Sequence, residues 1–152
     1  MDTSRLSRNE IVAMVGGALL LIALFLPWYE TNPDNAAANI DGEKGSLNAF
    51  QAHPILSWLL LLTVAGPFIL SWIIARGHEL SWARGEMTAV GTIAAVGLIF
   101  FNGVISRPGE PSGQISLEIG WYLALLGALM IVVGSALRAA ETGRARRPPG
   151  TF

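Results

Sequence analysis

The sequence predicts an all-α membrane protein: a four-helix transmembrane bundle with both termini cytoplasmic, topped by a small cap of two extracytoplasmic loops. Three observations carry this expectation. Apolar residues make up 52% of the 152 residues and charged residues only 14%, against roughly 25% charged in an ordinary soluble domain. The apolar residues collect into four runs of spanning length, with the charges in the gaps between them. The basic residues, finally, favour alternate gaps. The length fits one domain, and the lack of cysteine excludes disulfides, thiolate catalysis and cysteine metal sites.

Taken in order, Met1 to Glu10 is polar, and Ser7 or Asn9 is placed to cap the first helix. Ile11 to Tyr29 is the first span, uncharged, and about 28 Å long as a helix, which matches the hydrocarbon thickness. A cleaved signal peptide is the competing reading. The small-residue cleavage candidate Ala36-Ala37-Ala38 lies too far beyond the apolar run for it. Glu30 to Pro54 is the longest polar stretch, with turn chemistry at Asn32-Pro33-Asp34-Asn35 and at Asp41 to Gly45. Between turn and span, Ser46 to Phe50 is too short to assign to helix or strand.

Ile55 to Ala75 is the second span, expected to kink at Gly66-Pro67, because proline removes the bond to the Thr63 carbonyl. Arg76 to Glu86 reads as a short polar hairpin, and Met87 to Ile105 as the third span. Ser106 to Glu118 is the second outer loop. Its segment Gln114 to Glu118 alternates in polarity as a half-buried strand would. Gly120 to Leu137 is the fourth span, so the transmembrane domain covers 1–140, and 141–152 is expected to be a disordered basic tail. Four apolar runs of this length require helices, since backbone groups in lipid must be satisfied within the segment.

Orientation follows the basic residues. Arg5 and Arg8, then Arg76 and Arg84, then Arg138, Arg144, Arg146 and Arg147 are eight of the ten; the other two gaps hold Lys44 and Arg107. The termini and the middle hairpin are therefore expected in the cytoplasm of a multi-pass plasma-membrane protein. Trp28, Tyr29, Trp58, Trp72, Trp121 and Tyr122 are expected as interface anchors, where amphipathic rings are favoured, and Trp82 lies in the inner hairpin.

Functional signals are few. The four runs contain no ionisable group, which counts against proton relays, ion-coupled carriers and voltage sensors. Thr63, Thr88, Thr92, Ser71 and Ser135 can return their hydroxyls to their own helices. Asn102 is expected to bond a neighbouring helix or an outer loop. Asn39-Ile40-Asp41-Gly42 invites comparison with a calcium loop, but Ala37 and Asn48 stand where that loop needs acids. His53 and His78 lack a second ligand at metal spacing and are read as solvated or capping residues. Nucleophile elbow, phosphate loop and zinc-protease motifs are absent, so no catalytic residue, cofactor or metal is assigned.

Small residues do form a pattern. Gly120, Ala124, Gly127 and Gly134 line one side of span four, with Gly91 and Ala95 in span three and Ala13 and Gly17 in span one. Such spacing lets helix backbones meet, either inside the bundle or on a docking face for a partner. The two outer loops are expected to pack on each other, with Phe50, Asn102 and Trp121 near the contact, because Leu47, Phe50, Ile115 and Leu117 should avoid water.

Gly16 to Leu20, Leu26-Pro27-Trp28-Tyr29, Asn48-Ala49-Phe50, Pro108-Gly109 and Gly120-Trp121-Tyr122 together carry a resemblance to small four-span integral membrane proteins of actinobacteria. The resemblance implies a shared fold and an envelope location, and it supplies no activity. The layout is also similar, by analogy only, to claudin-like four-span proteins, whose cysteine pair and tryptophan signature this chain lacks. The expected function is a non-catalytic accessory or assembly subunit of an envelope complex. Its partners are the bilayer and a membrane protein or a second copy of the chain, not nucleic acid. The alternatives are a small transporter or channel for an apolar or uncharged solute, and a membrane enzyme using outer-loop acids.

Overall fold

A computed structural model describes residues 6–78 and 85–145. The chain order is α1 (Arg8–Phe25), β1 (Pro27–Thr31), β2 (Ser46–Asn48), α2 (Ala49–Ala52), α3 (Pro54–Ala75), α4 (Glu86–Phe100), a π-helical segment (Phe101–Ile105), β3 (Ile115–Leu117) and α5 (Ile119–Ala145). Among the described residues, four helices are long and apolar enough to cross a membrane: Arg8–Phe25, Pro54–Ala75, Glu86–Ile105 and Ile119–Thr142.

Helix α1 begins with a reciprocal cap, in which Ser7 accepts from the Glu10 N–H and the Glu10 carboxylate accepts from the Ser7 N–H. It stops at Phe25, earlier than the expected Tyr29. Leu26 is extended, and Pro27 has no N–H with which to continue the helix. Pro27, Trp28 and Tyr29 instead open β1, so the residues expected to end the first span form a strand.

The helices form a ring in which α1 and α4 each pack on both α3 and α5. The α1–α5 contact is antiparallel and close. A Cβ on Gly127 would lie 2.7 Å from the Leu20 nitrogen, and one on Gly134 would lie 2.5 Å from the Asn9 oxygen. On α1, Gly16 faces α5 at Gly127 while the adjacent Gly17 faces Val64, Pro67 and Phe68 of α3. Larger residues at these positions would force the backbones apart. The stripe on span four is thus an internal contact.

At one end of the bundle lies a three-stranded sheet in the order β2-β1-β3, both pairings antiparallel. Tyr29 pairs with Leu47 on one side and with Leu117 on the other. The two long loops are therefore joined mainly through β1 between them, and directly where Asn39 and Glu110 exchange main-chain bonds of 2.9 and 2.8 Å. Ile40, Leu47 and Ile115 are buried beneath this layer. Ser46 to Phe50, unassigned from sequence, splits into β2 and the short α2, which starts at an Asn48–Gln51 capping box. Pro54 at the first position of α3 needs no hydrogen-bond partner there.

Helix α5 continues to Ala145, past the expected end at Leu137 and into the expected tail. Arg138 explains the extension: its Nε donates to Glu10 of α1 and its Nη1 to Glu141, both at 3.1 Å. Residues 146–152 of that tail, Arg5 near the start, and 79–84 of the inner hairpin with Trp82 and Arg84 lie outside the described residues.

Candidate functional site

The densest polar arrangement lies beneath the sheet, where α4 changes its winding. Between Phe101 and Ile105 the ladder widens to π geometry, and the Ser106 N–H reaches back five residues to the Phe101 carbonyl at 2.8 Å. The cause is Trp121 of α5, whose indole lies directly on Gly103, a position with no room for a Cβ. The Trp121 indole N–H takes the Ile99 carbonyl at 3.0 Å. A side chain inserted into the helical ladder displaces the bond that belonged there.

Two further side chains use the carbonyls that this turn exposes. Tyr29 of β1 donates its hydroxyl to the Asn102 carbonyl at 3.1 Å, and Arg107 donates Nε to the Gly103 carbonyl at 3.0 Å. Arg107 also donates Nη1 to the Ile115 carbonyl at 2.7 Å, closing part of the free edge of β3. Behind Tyr29 stands His53, its Nε2 3.0 Å from the hydroxyl and its ring edge-on at 5.5 Å. A tyrosine hydroxyl has one proton. With that proton given to Asn102, His53 must donate from Nε2, which assigns its tautomer.

Burial sets the electrostatics of this chain of bonds. It raises the Tyr29 hydroxyl far above its ordinary pKa, with Arg107 opposing weakly. It also lowers the His53 imidazole below the usual histidine value, against a smaller upward pull from Asp41. Tyr29 is therefore protonated and His53 is biased toward neutrality. The line of bonds holds β1, the head of α3 and the end of α4 together. The arrangement is a brace. Among the described residues no three His, Asp or Glu side chains converge as a metal site would require.

The other residues singled out from the sequence separate into groups. Trp58, Trp72 and Tyr122 are exposed along the bundle, and the Arg76 guanidinium lies 4.3 Å over the Trp72 ring. Trp28, Tyr29 and Trp121 are buried instead, so they do not face lipid as anchors. Trp28 turns its indole N–H back to the Ala23 carbonyl at 2.8 Å, filling the place left by the missing helical turn. Asn102 does not reach another element through its amide, which returns to Leu98 four residues back. Phe50 lies between Phe25 and Trp58, tilted to the first and edge-on to the second, with centroids at 5.4 and 6.1 Å.

Gly127 and Gly134 are taken up in the α1–α5 contact, Gly120 lies against Leu26, Pro27 and Trp28, and Ala124 and Ala95 are buried. Gly91 behaves differently, because a Cβ there would meet nothing within 4 Å. It lies beside an open crevice of about 350 Å³ between α3 and α4, lined by Leu62, Thr63, Gly66, Met87 and Thr88. Thr63 and Thr92 return their hydroxyls to Leu59 and Thr88 in their own helices. A second hollow, about 460 Å³, lies over the β1–β3 side between Glu30, Asn32, Arg107 and Gln114.

Two groupings escaped the sequence reading. The Tyr29–His53 pair is 24 residues apart and depends on Tyr29 lying in a strand. The Glu10–Arg138 pair was hidden by a span boundary drawn at Ile11, although Ser7-Arg8-Asn9-Glu10 spells a capping box that places Glu10 inside α1. Glu10 is only 3% exposed. No protein-family model matches the chain, and neither a curated protein nor a solved structure matches it significantly.

Proposed function

We propose that this chain is a non-catalytic subunit of a cell-envelope complex, acting by contact with a transmembrane helix of a partner protein. The observation that carries the reading is the α3–α4 crevice. Its wall holds Gly91, where a Cβ would meet nothing within 4 Å and a second backbone can approach closely, and Thr63 and Thr88, which add hydroxyls to an otherwise apolar surface. Small and weakly polar residues are what transmembrane helices use to associate. An acyl chain has no donor or acceptor to meet the two hydroxyls. The α1–α5 stripe, already filled from within, leaves this crevice as the docking surface.

The chain sits in the plasma membrane with both termini in the cytoplasm, and the three-stranded sheet forms a small cap on the outer side. Support comes from the basic residues, since Arg8, Arg76 and Arg138 lie at the end of the bundle opposite the sheet. The cap holds the sheet ends of α3, α4 and α5 in register for the partner.

Purification in mild detergent, followed by mass spectrometry, tests the reading. The wild-type chain is expected to retain one membrane protein in fixed proportion, a second copy of itself included. Gly91→Leu, which puts a side chain into the crevice from a position whose Cβ meets nothing within 4 Å, is expected to lose it. Retention of the same partner by Gly91→Leu, or a monomer alone in the wild type, would overturn the proposal.

A further inference from the structure

Away from the sheet, α1, α3 and α5 meet around a small cavity. Its polar walls are Glu10 of α1, Ser71 of α3, and Ser135 and Arg138 of α5, with Pro67 and Gly85 among the rest of its lining. Glu10, Ser71 and Ser135 are 3, 5 and 3% exposed, so none of them turns to solvent. Among the described residues, Ser135 Oγ is the buried side-chain polar atom with no hydrogen-bond partner. That is unusual, because a serine on a helix can return its hydroxyl to the carbonyl four residues back, here Ile131. Thr63 and Thr92 make that bond, and Ser135 does not.

We propose that this cavity is a binding site for a single structural water that joins Ser135 to the Glu10–Arg138 ion pair and to Ser71. The volume is about 10 Å³, at the lower bound of roughly 10–15 Å³ needed for one water and too small for any larger guest. The chemistry suits a neutral dipole. Glu10 Oε1 already accepts from Arg138 and Oε2 from the Ser7 N–H, yet each oxygen keeps a lone pair. The Ser135 hydroxyl donates to the water, which donates onward to Glu10, and the Ser71 hydroxyl supplies a third contact. A buried water with about three partners is the usual way such groups are satisfied. The site makes the ion pair a three-helix junction, adding α3 to the α1–α5 contact.

A structure of the full chain in lipid, at a resolution that shows ordered water, tests this directly. Density within hydrogen-bond distance of both Ser135 Oγ and a Glu10 oxygen is expected, and it should vanish in Ser135→Ala. A dry cavity with the Ser135 hydroxyl turned onto the Ile131 carbonyl would overturn the proposal. Thermal unfolding supplies a second readout. Ser71→Ala and Ser135→Ala sit on different helices, and a shared water couples them. The double variant is expected to lose little more than the larger single shift, whereas fully additive shifts would count against the site.

Discussion

The Tyr29 hydroxyl, 3.1 Å from the Asn102 main-chain oxygen, ties the strand that follows the first helix to the widened end of the third spanning helix. It is also 3.0 Å from His53 Nε2 at the head of α3. One hydroxyl thus serves three elements far apart in sequence. Tyr29→Phe keeps the ring and leaves both partners unmet, which costs about 1–3 kcal/mol for buried groups. A clear fall in the thermal unfolding midpoint in detergent is expected, and an unchanged midpoint would show the brace to be ornamental.

The pH dependence follows from His53. Its folded pKa lies below the unfolded value because burial disfavours the cation. Just below about pH 6.5 the unfolded chain therefore binds more protons than the folded one. The contribution is fully present above that value and declines as pH falls through and below it. Unfolding midpoints measured from about pH 7.5 down to about pH 5 should drop. His53→Gln, which can still donate to Tyr29, should flatten that part of the profile. An equal slope in the variant would assign the effect to another group.

Helix contact makes a sharper contrast. A side chain at Gly127 meets backbone atoms of Gly16 and Leu20, which cannot move aside singly, whereas one at Gly91 meets open space. Gly127→Leu is expected to destabilise the bundle by about 1–3 kcal/mol or more through overpacking. Gly91→Leu should leave the unfolding midpoint near that of the wild type. Equal effects at the two positions would refute the division of internal and external faces.

At the other end of the bundle, Glu10→Gln removes the charge facing Arg138 while nearly preserving shape. Breaking a fully buried pair costs about 3–5 kcal/mol. Arg138 is partly exposed and keeps Glu141, so a smaller loss of about 1–3 kcal/mol is expected. Restoration of wild-type stability by Arg138→Met in the Glu10→Gln background would identify the cation left without its buried partner as the cause.

Much of the helical layout was legible because lipid leaves a helix as the only local solution for a long apolar run. The ends were not legible. Pro27-Trp28-Tyr29 reads as apolar helix terminus or as strand by composition alone, and β2 and β3, far along the chain, decide between them. Trp28 and Trp121 look like interface anchors until their indole N–H groups are seen to satisfy the Ala23 and Ile99 carbonyls. The widened turn at Phe101–Ile105 has a cause sixteen or more residues downstream, where Trp121 meets Gly103. Arg138 appears as the start of a polar tail because its partner, Glu10, is at the other end of the sequence.

The proposal of a helix-docking crevice is tested most directly in native membranes, by placing a photo-crosslinking residue at Met87 on its rim and, as control, at Ile22 on the exposed side of α1. Both positions are lipid-accessible in the isolated chain, at 67 and 58% exposure. The account predicts one discrete protein adduct of constant mass from Met87, abolished by Gly91→Leu, and only lipid adducts from Ile22. Lipid adducts alone from both positions would contradict it.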